Sequence, residues 1–346
     1  MTTFAELTTL RVGGPVARLI DAASPAELIA ALTEADSGAQ PVVLLGGGSN
    51  TLAHDDGASL VLRPRFSSIS ATKAPDNTVT IEAEAGTSWA DLVDQAVAEG
   101  WSGFEALAGI PGSVGAAPIQ NIGAYGHEVS ELISHVTVWD RTTREERTLT
   151  SKDLAFSYRS SALKQTPTTT PNLVVLSVTF TAPLTQQSAP IAYAELAQAL
   201  GVSVGECPPS SEVKRAVMAL RASKGMVLDQ QDHDTWSAGS FFTNPVIPQP
   251  QAAHLPPDAP CFPAGSDPRG APLTKVSAAW LMTNAGIPRG WGLTPRATTS
   301  TKHVLALTNR GGATAQDIRA LAAAIQSRVH QTFAIPLTPE PTILTP

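Results

Sequence analysis

Between Ala108 and Gly126 the chain reads Ala-Gly-Ile-Pro-Gly-Ser-Val-Gly-Ala-Ala-Pro-Ile-Gln-Asn-Ile-Gly-Ala-Tyr-Gly, with five glycines and two prolines in nineteen residues. No long regular element can run through it. Glycine tolerates positive φ and lets a ligand approach the backbone, while proline fixes the bends. The stretch from Ala106 to Tyr125 carries no charge, and its polar groups are Ser113, Gln120 and Asn121. Such a loop is either a surface turn or a buried loop offering backbone N–H groups to an anion. Ile110, Val114, Ile119 and Ile122 favour burial, and a buried loop needs a partner for its polar backbone.

A second glycine turn lies upstream. Ser24-Pro25-Ala26-Glu27 starts a helix with a serine cap, a proline in the first turn and a capping-box glutamate. Pro41-Val-Val-Leu-Leu45 then reads as a buried strand, and Gly46-Gly47-Gly48-Ser49-Asn50 follows it. The dinucleotide fingerprint of doubly wound folds would want glycine at position 51, where Thr51 stands. Further along, Val79–Ala85 alternates like a half-buried strand. Ser88 caps a helix ending at Gly100, and strands are expected at Val136–Trp139 and Leu173–Phe180.

Ser211–Lys224 has helical spacing. Nine prolines between Pro245 and Pro272 predict no regular structure there. A helix over Val276–Ala285, a strand over Val304–Thr308 and a last helix capped by Thr314 and Asp317 complete the reading.

Composition bounds the function. At 346 residues, two or three domains are expected. A formal charge of −7 argues against a nucleic-acid partner. An anionic substrate would have to meet a few placed cations. No segment has the 18 or more apolar residues of a membrane span, and Met1–Pro15 lacks the basic start and apolar core of a secretory signal, so a cytoplasmic protein is expected. Cys207 and Cys261 have no metal-ligand spacing, and no metal is expected.

The two glycine turns, with Tyr158-Arg159-Ser160-Ser161, Ala238-Gly-Ser-Phe-Phe-Thr-Asn-Pro245 and Pro339-Glu340, recur in family order nearly end to end. Together they resemble the UDP-N-acetylenolpyruvoylglucosamine reductases of bacterial peptidoglycan synthesis, longer-chain type. The resemblance implies an α+β fold: a two-part FAD-binding domain of the vanillyl-alcohol-oxidase type and a C-terminal α/β substrate domain. The implied parts are residues 1–70 joined by the tail 340–346, residues 71–220, and residues 221–339.

The resemblance also implies the chemistry. FAD would be held noncovalently by Gly46, Gly47, Gly48, Ser49, Asn50, Gly109, Ile110, Pro111, Gly112, Ser113, Gly115, Ile119, Asn121, Ile122, Gly123 and Arg221. NADPH would supply hydride, and the product would be UDP-N-acetylmuramate. Ser240 would donate the proton, Arg159 would be the cation beside the reacting carbon, and Glu340 their partner. Tyr193, Lys224, Asn244, Lys275 and His303 would meet the UDP-sugar enolpyruvate.

On residue type alone, Arg159 also fits a solvated loop cation, and Arg221 and Lys224 fit two solvated cations near a helix C-terminus. Two other functions stay open: an oxidase or dehydrogenase of alcohols or sugars on the same flavin fold, and an inactive flavin-binding module. Many such oxidases attach flavin through histidine or cysteine, and 108–126 contains neither.

Overall fold

The computed structural model describes residues 1–164 and 171–344. The expected segments 71–220 and 340–346 therefore include positions, 165–170 and 345–346, that lie outside the described residues.

The first layer is a three-stranded parallel sheet in the order Val16–Ala22, Ala58–Pro64, Val43–Leu44. The helix Pro25–Ser37 covers it with Leu28, Ala31, Leu32 and Ala35. Ser24 caps that helix by accepting from the Glu27 N–H at 3.2 Å. Only the Pro41–Leu45 strand is legible in the sequence, and it is shorter than expected because the glycine turn begins at once. Charged positions hide the other two. Asp21 and Arg63 sit opposite each other across the strands and form an ion pair at 2.6 Å.

Next comes a five-stranded antiparallel sheet, in the order Glu145–Thr150, Ile133–Asp140, Leu173–Pro183, Thr78–Glu84, Ile69–Lys73. Val79, Ile81 and Ala83 point inward, as their alternation predicts. They face the helix Trp89–Glu99, capped by Ser88 and ended by Gly100 in the left-handed region. Trp89, Phe104 and Phe180 pack with ring centroids 5.4 to 6.2 Å apart.

The C-terminal layer is a four-stranded antiparallel sheet, Ser237–Ser240, Ala306–Asn309, Ala297–Thr299, Gly292–Thr294, backed by the helix Ala315–Phe333. That helix buries Ile318, Leu321, Ala322, Ile325 and Val329, the stripe its spacing predicts.

The proline-rich stretch corrects the sequence reading. Val246–Pro248, Cys261–Ser266 and Pro272–Val276 form a three-stranded antiparallel sheet, with the short helix Gln249–Ala252 inserted. Pro248 ends one edge strand, Pro263 lies in the other, and Pro272 opens the central strand. These are positions where a missing N–H costs little. The following helix starts later than expected, at Ala278, because Val276 closes a strand and Ser277 caps the helix.

The chain end returns to the start. Thr342–Ile343 pairs in parallel with Thr51–Leu52. Just before it, Pro339 bridges Phe242, and the Glu340 N–H donates to the Phe241 carbonyl at 2.8 Å. One buried cluster runs from Ala22 to Val217, and another joins Leu10, Val12 and Leu52 to the C-terminal layer. Among the described residues, no helix is long and apolar enough to cross a membrane.

Candidate active site

The two glycine turns face each other across a cleft. A Cβ on Gly47 would lie 2.7 Å from the Gly112 Cα, so the backbones approach as only glycines allow. The Ser49 hydroxyl donates to the Pro111 carbonyl at 2.9 Å and pins one turn to the other. Around them opens a cavity of about 450 Å³. It shares Gly46, Ser113 and Gln120 with a narrower cavity of about 140 Å³ that reaches Val43 and Val175.

Most of the expected cofactor residues line the larger cavity: Gly46, Gly47, Gly48, Ser49, Asn50, Ile110, Pro111, Gly112, Ser113, Ile119, Ile122, Gly123 and Arg221. Gly115 lines the narrower cavity instead, and Gly109 and Asn121 are in the wall of neither. A Cβ on Gly115 would meet Ala85 Cβ at 2.6 Å, so this glycine lets the loop lie on the antiparallel sheet. A Cβ on Gly109 would come within 2.7 Å of the Met218 sulfur. Asn121 is wholly buried. Its amide donates to Glu128 at 2.7 Å and to the Ser157 carbonyl at 3.2 Å, so it braces the loop against the Tyr158 turn.

Three separate elements bring Ser240, Arg159 and Glu340 to this cavity. Gly239, at φ +71, makes a bulge between the Ser237–Thr308 and Ser240–Ala306 pairs. Phe241 and Phe242 anchor the next two residues in the core. Arg159 sits at φ +53 in a tight turn closed by two Ser157–Ser160 backbone bonds of 3.0 Å. Its fork donates to the Gly123 carbonyl at 2.6 Å and the Asn121 carbonyl at 3.3 Å, and its Nε lies 3.2 Å from Glu340 Oε1. Burial pushes the Glu340 carboxyl above the usual carboxylate range, and the charges of Arg159 and Lys164 oppose that shift. This arginine is a held cation, not a solvated one.

Tyr193, Lys224 and His303 share the cavity. Burial and the nearby Lys224 push His303 down to about 4, so at neutral pH it is an uncharged hydrogen-bonding group. Arg221 is half-buried: one end of its fork donates to the Met226 carbonyl at 3.2 Å, while its Nε is buried with no partner among the described residues. Burial also lowers its pKa. A guanidinium with an orphaned Nε, beside Gly109 and in the wall of a cavity lined by two glycine loops, suits the pyrophosphate of a dinucleotide. The residues present therefore fit FAD.

Asn244 and Lys275 are placed elsewhere. Asn244 accepts from the Ala278 N–H at 2.9 Å and lines a further cavity that shares Arg159 with the first, while the Lys275 ammonium lies 4.7 Å over the Tyr158 ring.

Comparison with known proteins decides the family. An FAD binding domain matches residues 16–148, and the C-terminal domain of UDP-N-acetylenolpyruvoylglucosamine reductase matches residues 230–344. The UDP-N-acetylenolpyruvoylglucosamine reductase of Streptomyces coelicolor is 46% identical, over 97% of this chain and 88% of that protein. The enzyme of that name from Thermobifida fusca is 45% identical over 98% and 96%. The chain belongs to the UDP-N-acetylenolpyruvoylglucosamine reductase family. A crystal structure of the reductase from Thermus caldophilus superposes with a TM-score of 0.64 at 25% identity, covering 99% of this chain and 98% of that one. The chain is thus an FAD-dependent oxidoreductase, with the α+β fold of a flavin-binding domain and a C-terminal α/β domain.

Within the reductase cavity the structure adds residues that the sequence reading misses. Tyr125, raised to about 12 by burial, packs edge-on against Tyr193 at 5.9 Å. Glu195 pairs with Lys224 at 2.5 Å. Tyr125 stands inside the glycine loop and Glu195 two residues after Tyr193. Proximity to a motif was the only signal for either.

Proposed function

We propose that this cleft reduces UDP-N-acetylglucosamine enolpyruvate to UDP-N-acetylmuramate, with NADPH as the hydride source and noncovalent FAD between the two glycine turns. The observation that carries the reading is the convergence of Ser240, Arg159 and Glu340 on the cavity walled by those turns. In the same reading, 1–70 and 71–220 hold the flavin, 221–339 covers the substrate, and the enzyme works in the cytoplasm.

When bound, FAD supplies the hydride that reaches the methylene carbon of the enol ether. The protein must then manage charge and proton. Reduction at the methylene leaves negative charge on the neighbouring carbon and its carboxylate. Arg159, fixed by two carbonyls and Glu340, stabilises that charge with no reorganisation at the moment of reaction. Ser240 gives a proton to the neighbouring carbon. A serine hydroxyl is a weak acid, so Arg159 and the carboxyl of Glu340, in the same cavity wall, assist the transfer.

Lys224 and His303 receive the diphosphate, one as a charge and the other as a neutral hydrogen bonder, and Tyr193 closes over the substrate. Gly109, Gly115 and Asn121 act by shaping the flavin loop. Asn244 and Lys275 shape the wall behind Tyr158.

The test is direct. The purified protein should be yellow, release all its flavin on denaturation, and oxidise NADPH beyond the one equivalent that reduces its flavin only when the enolpyruvyl sugar nucleotide is present. Flavin left on the precipitate would favour a covalently flavinylated oxidase. Continuous NADPH turnover blind to the sugar nucleotide would remove the proposed substrate.

A further inference from the structure

At the cavity mouth the cation proposed for the diphosphate is already taken. Lys224 is the residue that ends the helix Ser210–Ser223, and its Nζ lies 2.5 Å from Oε2 of Glu195. Glu195 stands in the first turn of the helix Ala194–Leu200, whose N-cap is Tyr193. Both charged side chains stay partly exposed, at 31% and 40%, and both line the cavity with His303. The lysine charge is thus cancelled where an anion would enter.

His303 cannot replace that charge, since it is neutral near pH 7. Two further cations act on His303: Arg289, which is not in the cavity wall, and Arg221, which is, beside Gly109. A diphosphate arriving at Lys224 meets the Glu195 carboxylate as a rival for the same ammonium and as a like charge. Both effects oppose binding.

We propose that Glu195 is a built-in competitor for the diphosphate: it occupies Lys224 in the free enzyme and must swing away when the sugar nucleotide binds. Glu195 is two residues from Tyr193 on the same short helix, so its release frees that helix end to settle Tyr193 on the substrate. Glu195 thereby sets how tightly any diphosphate is held, and it keeps substrate and product exchangeable.

This inference rests on the proposed role of Lys224, and the test separates the two. UDP serves as the probe, titrated calorimetrically into the holoenzyme and into the Glu195→Gln, Lys224→Ala and doubly substituted proteins. Glu195→Gln should lower the UDP dissociation constant by roughly two- to tenfold, the scale set by losing a half-exposed ion pair and a like-charge contact. The gain should disappear in the Lys224→Ala background, as a pairwise coupling requires.

In turnover the effect should fall on KM for the sugar nucleotide rather than on kcat. Unchanged or weaker UDP binding by Glu195→Gln would overturn the inference while leaving the reaction assignment standing. A gain that persists without Lys224 would also overturn it, because Glu195 would then act without holding the lysine. If Lys224→Ala alone binds UDP like the wild type, the diphosphate role of Lys224 fails, and the inference with it.

Discussion

Arg159 and Glu340 meet at 3.2 Å, Nε to Oε1, with only 20% and 14% of their side chains exposed. The contact fastens the returning chain end to the flavin loop, since the same guanidinium also holds the carbonyls of Asn121 and Gly123. Removing one partner leaves the other charge largely buried, which costs more than the pair itself contributes.

Glu340→Ala should therefore destabilise the fold by about 3 kcal/mol, the low side of the cost of orphaning a buried ion-pair partner. Glu340→Gln keeps an acceptor for Arg159 and should lose less. Urea unfolding monitored by circular dichroism measures both. Equal stability of Glu340→Ala and wild type would show that the pair holds nothing together.

Gly47→Ala probes the cleft itself. The new Cβ would sit 2.7 Å from the Gly112 Cα, and backbone cannot move aside as a flexible side chain can. Overpacking of roughly 1–3 kcal/mol should part the turns and weaken FAD binding about five- to hundredfold. The flavin-to-protein absorbance ratio after dialysis reports it, with far-ultraviolet circular dichroism confirming the fold. Full flavin retention would mean that the turns do not need this approach.

Much of this site is legible in the sequence because its chemistry sits in backbone-limited motifs. Glycines at 46–48 are demanded by close approach and Gly112 by its φ of +131, whereas Arg159, Ser240 and Glu340 are reached only through the family resemblance. What is not legible has physical reasons too. Gly115 and Asn121 belong to the same motif and also pack against Ala85 and bond Glu128, contacts that the motif alone does not show. The proline count from 245 to 272 suggests irregularity, yet sheet edges tolerate proline, and edge status depends on partners distant in sequence. The strands Val16–Ala22 and Ala58–Pro64 escape notice because Asp21 and Arg63 neutralise each other only after the strands pair. Glu195 carries no motif at all, and its role emerges only from its distance to Lys224.

The depressed pKa of His303 has a sign that can be worked out. Folded, the ring titrates near 4; unfolded, it returns to the ordinary 6.5. Between those values the unfolded chain binds a proton that the folded chain refuses. The stability contribution is therefore complete above about 6.5 and is lost as pH falls towards 4, up to about 3 kcal/mol for this one group. His303→Gln should keep the shape and flatten this limb. Unfolding free energies at pH 7 and pH 5 for both proteins give the comparison. Equal losses in the two would show that His303 titrates freely.

Ser240 offers the sharpest separation of roles. Consuming NADPH in the absence of sugar nucleotide requires no acid from the protein, so anaerobic Ser240→Ala holoenzyme should still oxidise one equivalent of NADPH at a rate close to wild type. Completing the substrate reaction requires a proton at the carbon next to the carboxylate, and in the proposed mechanism it comes from Ser240, which the bulged strand and the Phe241–Phe242 anchor hold in the cavity wall. Turnover of Ser240→Ala should accordingly fall by about two to four orders of magnitude, the usual contribution of a placed general acid. KM for the sugar nucleotide should move far less, since the hydroxyl makes its main contribution after binding. Ser240→Cys retains a donor on the same bulge and should recover part of the rate. If Ser240→Ala forms UDP-N-acetylmuramate as fast as wild type, the proton comes from Glu340 or from water, and the bulge at Gly239 serves the fold alone.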